Sequence, residues 1–209
     1  MSDCCSQVEF NVPAPATRQR RVLIVVLIIN ALTFLMMVAG SLLSGSSSLL
    51  SGTLDNLGDA LTYAMSLAVI GAASATKARV AFFKGLLILG AALAVAAQIG
   101  WRIWHLAAPV ATTMGIVAFL NLGANAVCLL LLHPHRNDDV NMSSVWECSR
   151  NDVFEGVAVI VTAGAVWLFG SGWPDIFVAI ALLLLFLRSA VRVLRSAWQE
   201  MHSTPAKSP

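Results

Sequence analysis

Long apolar runs separated by short polar connections dominate the pattern along this chain. A hydrocarbon core of about 30 Å requires about 20 helical residues, and six runs reach that length. The connections are rich in Ser, Gly, Pro and charged residues, as turns are. The pattern therefore predicts an all-α membrane protein built as a bundle of six transmembrane helices. The predicted spans are Val22–Leu43, Leu49–Ala73, Ala81–Trp104, Thr112–Leu132, Ser144–Phe169 and Pro174–Leu194.

The composition supports a membrane protein and excludes several other classes. Hydrophobic residues make up 58% of the 209 positions and charged residues only 11%, whereas a soluble domain has about 25% charged residues. No basic patch interleaves with aromatic residues, so nucleic-acid binding has no support. The four cysteines do not form a secreted disulfide framework. The adjacent Cys4 and Cys5 lack zinc-ligand spacing and are either a soft-metal contact or ordinary thiols on a tail.

Basic residues cluster at alternate ends of the predicted helices, which sets the orientation of the chain. One side carries Arg18, Arg20 and Arg21, then Lys77, Arg79 and Lys84, then Arg136, and finally Arg188, Arg192, Arg195 and Lys207, while the other side has only Arg102. The positive-inside rule predicts that both termini are cytoplasmic. With no organelle signal, we predict a multi-pass protein of a bacterial inner membrane.

Two carboxylates interrupt the second apolar run. No formal charge occurs from Val22 to Leu54, and then Asp55 and Asp59 follow four residues apart, on one face of a helix. A carboxylate at the centre of a bilayer costs at least ~2.5 kcal/mol on insertion scales. Two neighbouring carboxylates therefore require a cation, a proton or a water-filled cavity. The pair indicates an ion site.

The fifth predicted helix repeats this spacing with Cys148 and Asp152. Helices that offer two ligands each, at a similar depth near the midplane, can close a four-coordinate shell around a divalent ion. Carboxylate oxygen and thiolate in tetrahedral geometry favour zinc or cadmium and accept cobalt or iron(II). We predict a metal site formed by Asp55, Asp59, Cys148 and Asp152, with no prosthetic group.

Side chains near these pairs have candidate secondary roles. Glu155 continues the face of the fifth helix and is either an extra ligand or proton acceptor, or a partner of Arg150 or of an amide on the fourth helix. Asn151 shares part of that face and is a candidate to coordinate the metal or to hydrogen-bond one of its ligands. Tyr63 lies one turn after Asp59, where it supports the carboxylate or simply packs. For Asn121 and Asn125 in the fourth span, interhelical hydrogen bonds are the expectation.

The connection between the fourth and fifth spans contains two more candidate ligands, His133 and His135. Together with Asp138 and Asp139 they either capture metal before it enters the membrane or form an ordinary solvated turn.

At these motifs the chain resembles the cation diffusion facilitator family of metal/proton antiporters. The similarity lies in Ser47 to Asp59, where Ser51, Gly52 and Thr53 precede the aspartates, and in the segment Ser149 to Val153. It spans about residues 20–198. The resemblance implies six transmembrane helices, divalent metal and protons as substrates, and a homodimer. Cys148 departs from the family, which usually has histidine at that position.

The resemblance also sets the expected domain organisation. We expect a cytoplasmic N-terminal tail over residues 1–20, a six-helix transport domain over 21–198, and a short cytoplasmic tail over 199–209. That tail is too short for the family's cytoplasmic dimerisation domain.

The leading functional hypothesis is efflux of a divalent transition metal coupled to proton antiport. The first alternative is a non-transporting membrane module that binds metal or assists a larger efflux system. An intramembrane protease is disfavoured, because its catalytic aspartates need facing helices, whereas Asp55 and Asp59 share one helix. We therefore predict a protein that is not an enzyme.

Overall fold

The structure is a computed structural model that describes residues 17–68, 74–136 and 140–202. Within these ranges the chain forms six α-helices and one 3-10 turn, with no strands. The helices are α1 (Thr17–Ser44), α2 (Ser47–Ala68), α3 (Ser74–Trp104), α4 (Ala111–Leu132), α5 (Val140–Phe169) and α6 (Trp173–His202), and the 3-10 turn is His133–His135. The predicted all-α six-helix bundle is confirmed.

Five of the helices are long and apolar enough to cross a membrane, judged by length and composition. These segments are Arg18–Ser44, Gly85–Trp104, Ala111–His135, Val145–Phe169 and Trp173–Arg192. The helix outside this set is α2, although its 22 residues would extend about 33 Å. Its apolar face is diluted by serines, threonines and the polar segment around Asp55 and Asp59. Thus α2 is long enough to cross a membrane, as predicted for this span, but it is less apolar than these segments of the other five helices.

Several helix ends differ from the predicted boundaries. The segment 76–79, predicted as a connection, belongs to α3, which begins at Ser74, and α6 continues to His202. Charged residues end an apolar run without ending a helix, because the backbone keeps its internal hydrogen bonds beyond the hydrocarbon. The last predicted residues of the second span, 69–73, lie outside the described residues.

Two tight glycine turns join helices at the end of the bundle opposite the termini, which we call the turn end. Gly45 and Gly170 have φ angles of 69° and 59°, a left-handed conformation that a residue with a Cβ rarely adopts. Each donates its backbone N–H to a carbonyl four residues earlier, those of Ser41 and Val166. These turns end α1 and α5 and reverse the chain into α2 and α6.

The helices pack as a group of four, α1, α2, α4 and α5, with α3 and α6 paired beside it. Two apolar clusters fill the group of four. One lies towards the turn end and includes Met37, Leu49, Met114, Val159 and Val166. The other, nearer the termini, includes Leu23, Val26, Tyr63, Cys128 and Val145. Between these clusters the four helices carry mainly polar residues.

One carboxylate fastens the beginning of α2 to α6. Asp175, in the first turn of α6, is 1% exposed. Its oxygens accept hydrogen bonds from the Ser46 hydroxyl at 2.6 Å, the Ser47 backbone N–H at 2.6 Å, and both the backbone N–H and hydroxyl of Ser48 at 3.0 and 2.7 Å. A carboxylate at a helix N-terminus satisfies free N–H groups and complements the helix dipole. Asp175 does this for α2 while lying in the first turn of α6.

Candidate cation site

The polar residues between the two apolar clusters form a layer across the middle of the bundle. On α2 the layer contains Asp55, Asn56 and Asp59; on α4 it contains Asn121 and Asn125; on α5 it contains Cys148, Asp152 and Glu155. Apolar clusters lie towards both ends of the bundle from it, so the layer is a polar interruption in a mainly apolar interior. Polar groups in such a position need partners within the protein or a bound ion.

A cavity of about 20 Å³ opens within this layer. This volume accepts about one water molecule or a dehydrated ion of similar size. Its lining includes carboxylates from both helices that the sequence singled out, together with three amide side chains. The polar lining residues are Asp55, Asn56, Asn121, Asn125, Asp152 and Glu155, and the remainder are Met37, Leu49, Gly52, Ala118, Gly156, Val159 and Leu182.

Two of the four predicted metal ligands, Asp55 and Asp152, line this cavity from opposite helices. Both side chains are half-buried. Glu155, predicted only as a secondary candidate, lies in the same cavity, and its carboxyl group is within hydrogen-bonding reach of Asp55. Two carboxyl groups this close cannot both remain ionised without a proton or a cation between them. The α2–α5 contact is therefore a place where a positive charge is stabilised.

The other two predicted ligands, Asp59 and Cys148, are buried outside the cavity lining. Asp59 accepts a hydrogen bond from the Tyr63 hydroxyl at 2.7 Å. Cys148 and Asp152 lie close enough to that hydroxyl to interact with it electrostatically. Tyr63 thus contacts Asp59 through its hydroxyl as well as packing in the apolar cluster nearer the termini. The four predicted ligands are divided between the cavity and the surroundings of Tyr63.

The described ligands are near one another without forming a closed shell. Across residues 17–68, 74–136 and 140–202, no group of three or more His, Cys, Asp or Glu side chains is arranged to hold a metal ion. In this conformation the cavity therefore offers a partial set of carboxylates, supplemented by amides.

The amides are the part of the layer that spacing alone did not assign to the site. The Asn56 side chain donates a hydrogen bond from Nδ2 to Oδ1 of Asn121 at 2.9 Å, which links α2 to α4. The prediction that Asn121 makes an interhelical hydrogen bond is thus met. Asn125 lies one turn after Asn121 on the same face of α4 and also lines the cavity. Two asparagines four residues apart in an apolar helix were the available sequence signal.

The remaining secondary candidates lie away from the cavity lining. Asn151 is half-buried on α5. His133 is exposed and contacts Arg136, whereas His135 is buried in the 3-10 turn at the end of α4. The histidines are thus separated from the cavity by the apolar cluster that contains Leu132 and Val145. The candidate contributions of Cys4, Cys5, Asp138 and Asp139 lie outside the described residues.

The class of protein now follows from fold and site together: a multi-pass membrane bundle with acidic groups from two helices meeting at a small cavity in its middle. Residues 23–201 match the family model described as cation efflux transmembrane domain. The chain therefore belongs to the cation efflux family, whose members are metal cation transporters and not enzymes. Among curated proteins, none matches the chain significantly.

Proposed function

We propose that the protein exports a divalent transition-metal ion in exchange for protons, with the ion bound in the polar layer between α2 and α5. The observation that carries this proposal is the close approach of the Asp55 and Glu155 carboxyl groups beside Asp152 in one cavity. Such a group of carboxyls is stable in hydrocarbon-depth protein when protons or a cation neutralise it.

Protons and metal compete for the same oxygens in the proposed cycle. A metal ion entering from the cytoplasm displaces the protons held by the cavity carboxyls, because a ligand must be deprotonated to bind. Movement of α2 relative to α5 then brings Asp59 and Cys148 from the surroundings of Tyr63 to complete the site. Protonation from the opposite side lowers metal affinity and releases the ion, and alternating access around a fixed site completes the cycle.

Substrate and setting follow from the same chemistry. Carboxylates combined with one thiolate suit zinc, cadmium, cobalt or iron(II). The basic residues at the terminal end of the bundle support cytoplasmic termini, so that proton influx would drive metal out of the cell. By analogy with the family we propose a homodimer, and from the basic residues at the helix ends we propose a bacterial inner membrane as its location.

Metal flux into proteoliposomes tests the proposal. Purified protein is reconstituted with an entrapped metal-sensitive dye, a pH gradient with the acidic side inside is imposed, and zinc, cadmium, cobalt, iron(II) or manganese(II) is added outside. We expect flux that requires the gradient and falls to background in Asp59→Ala. Ser51→Ala is the matched control, because it removes only a hydroxyl that bonds the Ala179 carbonyl on α6.

Two outcomes would contradict export. Flux of Asp59→Ala equal to that of the wild type would remove Asp59 from the transport path. Saturable metal binding by the wild type with no flux for any of these metals would instead favour the non-transporting module.

A further inference from the structure

We propose that the amide oxygens of Asn125 and Asn56 are ligands of the transported ion, so that the site is oxygen-rich and takes more than four donors. This inference rests on the proposed function and refines its substrate class. It favours a divalent ion such as Mn²⁺ or Fe²⁺, which accepts many oxygen ligands, over tetrahedrally bound Zn²⁺.

Both amide oxygens are buried and lack a partner. Asn125 is 3% exposed and Asn56 is 1% exposed. Within the described part of the chain, Oδ1 of each makes no hydrogen bond. An unpaired buried acceptor costs about 1–3 kcal/mol, and such groups generally mark a bound water, an ion or a functional role. Both residues line the cavity, where a cation would supply the missing positive partner.

The contact between α2 and α4 holds Asn56 in a defined orientation. Its Nδ2 donates to Asn121 Oδ1 at 2.9 Å. With the amino group engaged, the carbonyl oxygen of the same side chain remains as the group able to accept. Asn121 is thus a positioning residue for Asn56, and Asn125 follows one turn later on the same face of α4. The fourth helix in this way contributes neutral oxygen to a site whose carboxylates come from α2 and α5.

Charge explains why amides suit this side of the cavity. The carboxyls of Asp55, Asp152 and Glu155 together already exceed the charge of a divalent ion, so another carboxylate would add repulsion. An amide oxygen adds a ligand without adding charge. In this conformation the sulfur of Cys148 lies outside the cavity lining, and apart from the Met37 thioether the polar donor atoms that reach the cavity are oxygens and amide nitrogens. If Cys148 joins the site during transport, it adds one sulfur to a set of donors that remains mainly oxygen. Carboxylate and carbonyl oxygens are the donors that suit manganese.

Metal titration of purified full-length protein tests the inference. Binding of Mn²⁺ and Zn²⁺ is measured separately by calorimetry for the wild type, Asn125→Leu and Asn125→Asp. Asn30→Leu is the matched control: Asn30 is also a buried amide whose Oδ1 lacks a partner among the described residues, but it does not line the cavity. Asp55→Ala serves as the test of the metal site itself.

The wild type should bind Mn²⁺ more tightly than a site with only four ligands would. Asn125→Leu should weaken Mn²⁺ binding about tenfold, equivalent to about 1.4 kcal/mol. Zn²⁺ binding should change far less, and Asn30→Leu should leave both affinities as in the wild type. Asn125→Asp, which keeps an oxygen donor at this position, should retain Mn²⁺ binding. A second readout is the visible absorption of bound Co²⁺, which is weak at high coordination number and should intensify in Asn125→Leu as coordination approaches tetrahedral.

The results separate this inference from the proposed function. The amide ligands are overturned if Mn²⁺ affinity is unchanged in Asn125→Leu, or if Asn30→Leu loses as much affinity. In either case, metal binding that depends on Asp55 leaves the proposed function standing. Absence of metal binding by the folded wild type overturns both. If Asn125→Leu does not fold, Asn125→Asp decides, because loss of Mn²⁺ affinity in that variant contradicts an oxygen ligand at this position.

Discussion

Replacing Asp175 with alanine should destabilise the bundle far more than removing any other polar contact between α2 and α6. The Asp175 carboxylate accepts four hydrogen bonds from three consecutive residues, Ser46, Ser47 and Ser48. Two of these donors are backbone N–H groups of the first residues of α2. All four donors lose the Asp175 acceptor in Asp175→Ala, although the hydroxyls of Ser46 and Ser48 still contact each other at 3.3 Å. The three serines are almost fully buried.

The magnitude follows from the kind of bond that is lost. A hydrogen bond to a charged group contributes about 1.5–3 kcal/mol, and a buried donor left without a partner costs about 1–3 kcal/mol. Removing the desolvated charge itself offsets part of this loss. We therefore expect Asp175→Ala to lower the free energy of unfolding by about 3 kcal/mol, in the range reported for breaking buried charged contacts. Asp175→Asn, which keeps an acceptor oxygen, should lose less.

Equilibrium unfolding in mixed micelles of lipid and denaturing detergent measures this difference. Ser51→Ala is the comparison variant, because the Ser51 hydroxyl makes a single neutral bond of 3.0 Å to the Ala179 carbonyl across the same pair of helices. Side-chain hydrogen bonds between membrane helices average about 0.6 kcal/mol. A loss in Asp175→Ala no larger than that in Ser51→Ala would refute the proposed role of this carboxylate in fixing α2.

Two further substitutions test local contacts. Tyr63→Phe removes the donor 2.7 Å from Asp59, a bond worth about 1–2 kcal/mol that Asp59 gives up when it joins the proposed site, so metal affinity should rise about fivefold to thirtyfold in calorimetry; an unchanged affinity would mean that Tyr63 only packs. Gly172→Ala would bring a Cβ to 2.6 Å from the Ala107 carbonyl oxygen, and the required backbone shift should cost about 1–3 kcal/mol in the same unfolding assay. Gly164→Ala, with nothing within 4 Å of its added Cβ, should be tolerated, and equal losses in both variants would contradict the close contact.

The helices were predictable because uninterrupted apolar runs of sufficient length leave the chain few other structures in a membrane. Their ends were less so. The run that becomes α3 begins at Ala81, but the helix begins at Ser74, since hydropathy reports contact with lipid and the backbone hydrogen bonds do not depend on it. Asp175 was also not identifiable, because its role depends on Ser46 to Ser48 in a distant part of the chain.

The candidate site was predictable only in part. Spacing of four residues shows that Asp55 and Asp59 share a face of α2, and that Cys148 and Asp152 share a face of α5. Spacing does not show which neighbour each side chain meets. Asp59 faces the Tyr63 hydroxyl and not the cavity lining, and Glu155 approaches Asp55. Such choices depend on the relative height and rotation of packed helices, which local sequence does not specify.

Anomalous scattering from crystals of the protein soaked with Mn²⁺, with Zn²⁺ as a second soak, tests most directly whether an ion binds in the polar layer. We predict one strong anomalous peak in the polar layer between α2 and α5, within ligand distance of Asp55 and Asp152. A peak elsewhere in the molecule, with none in this cavity, would contradict it.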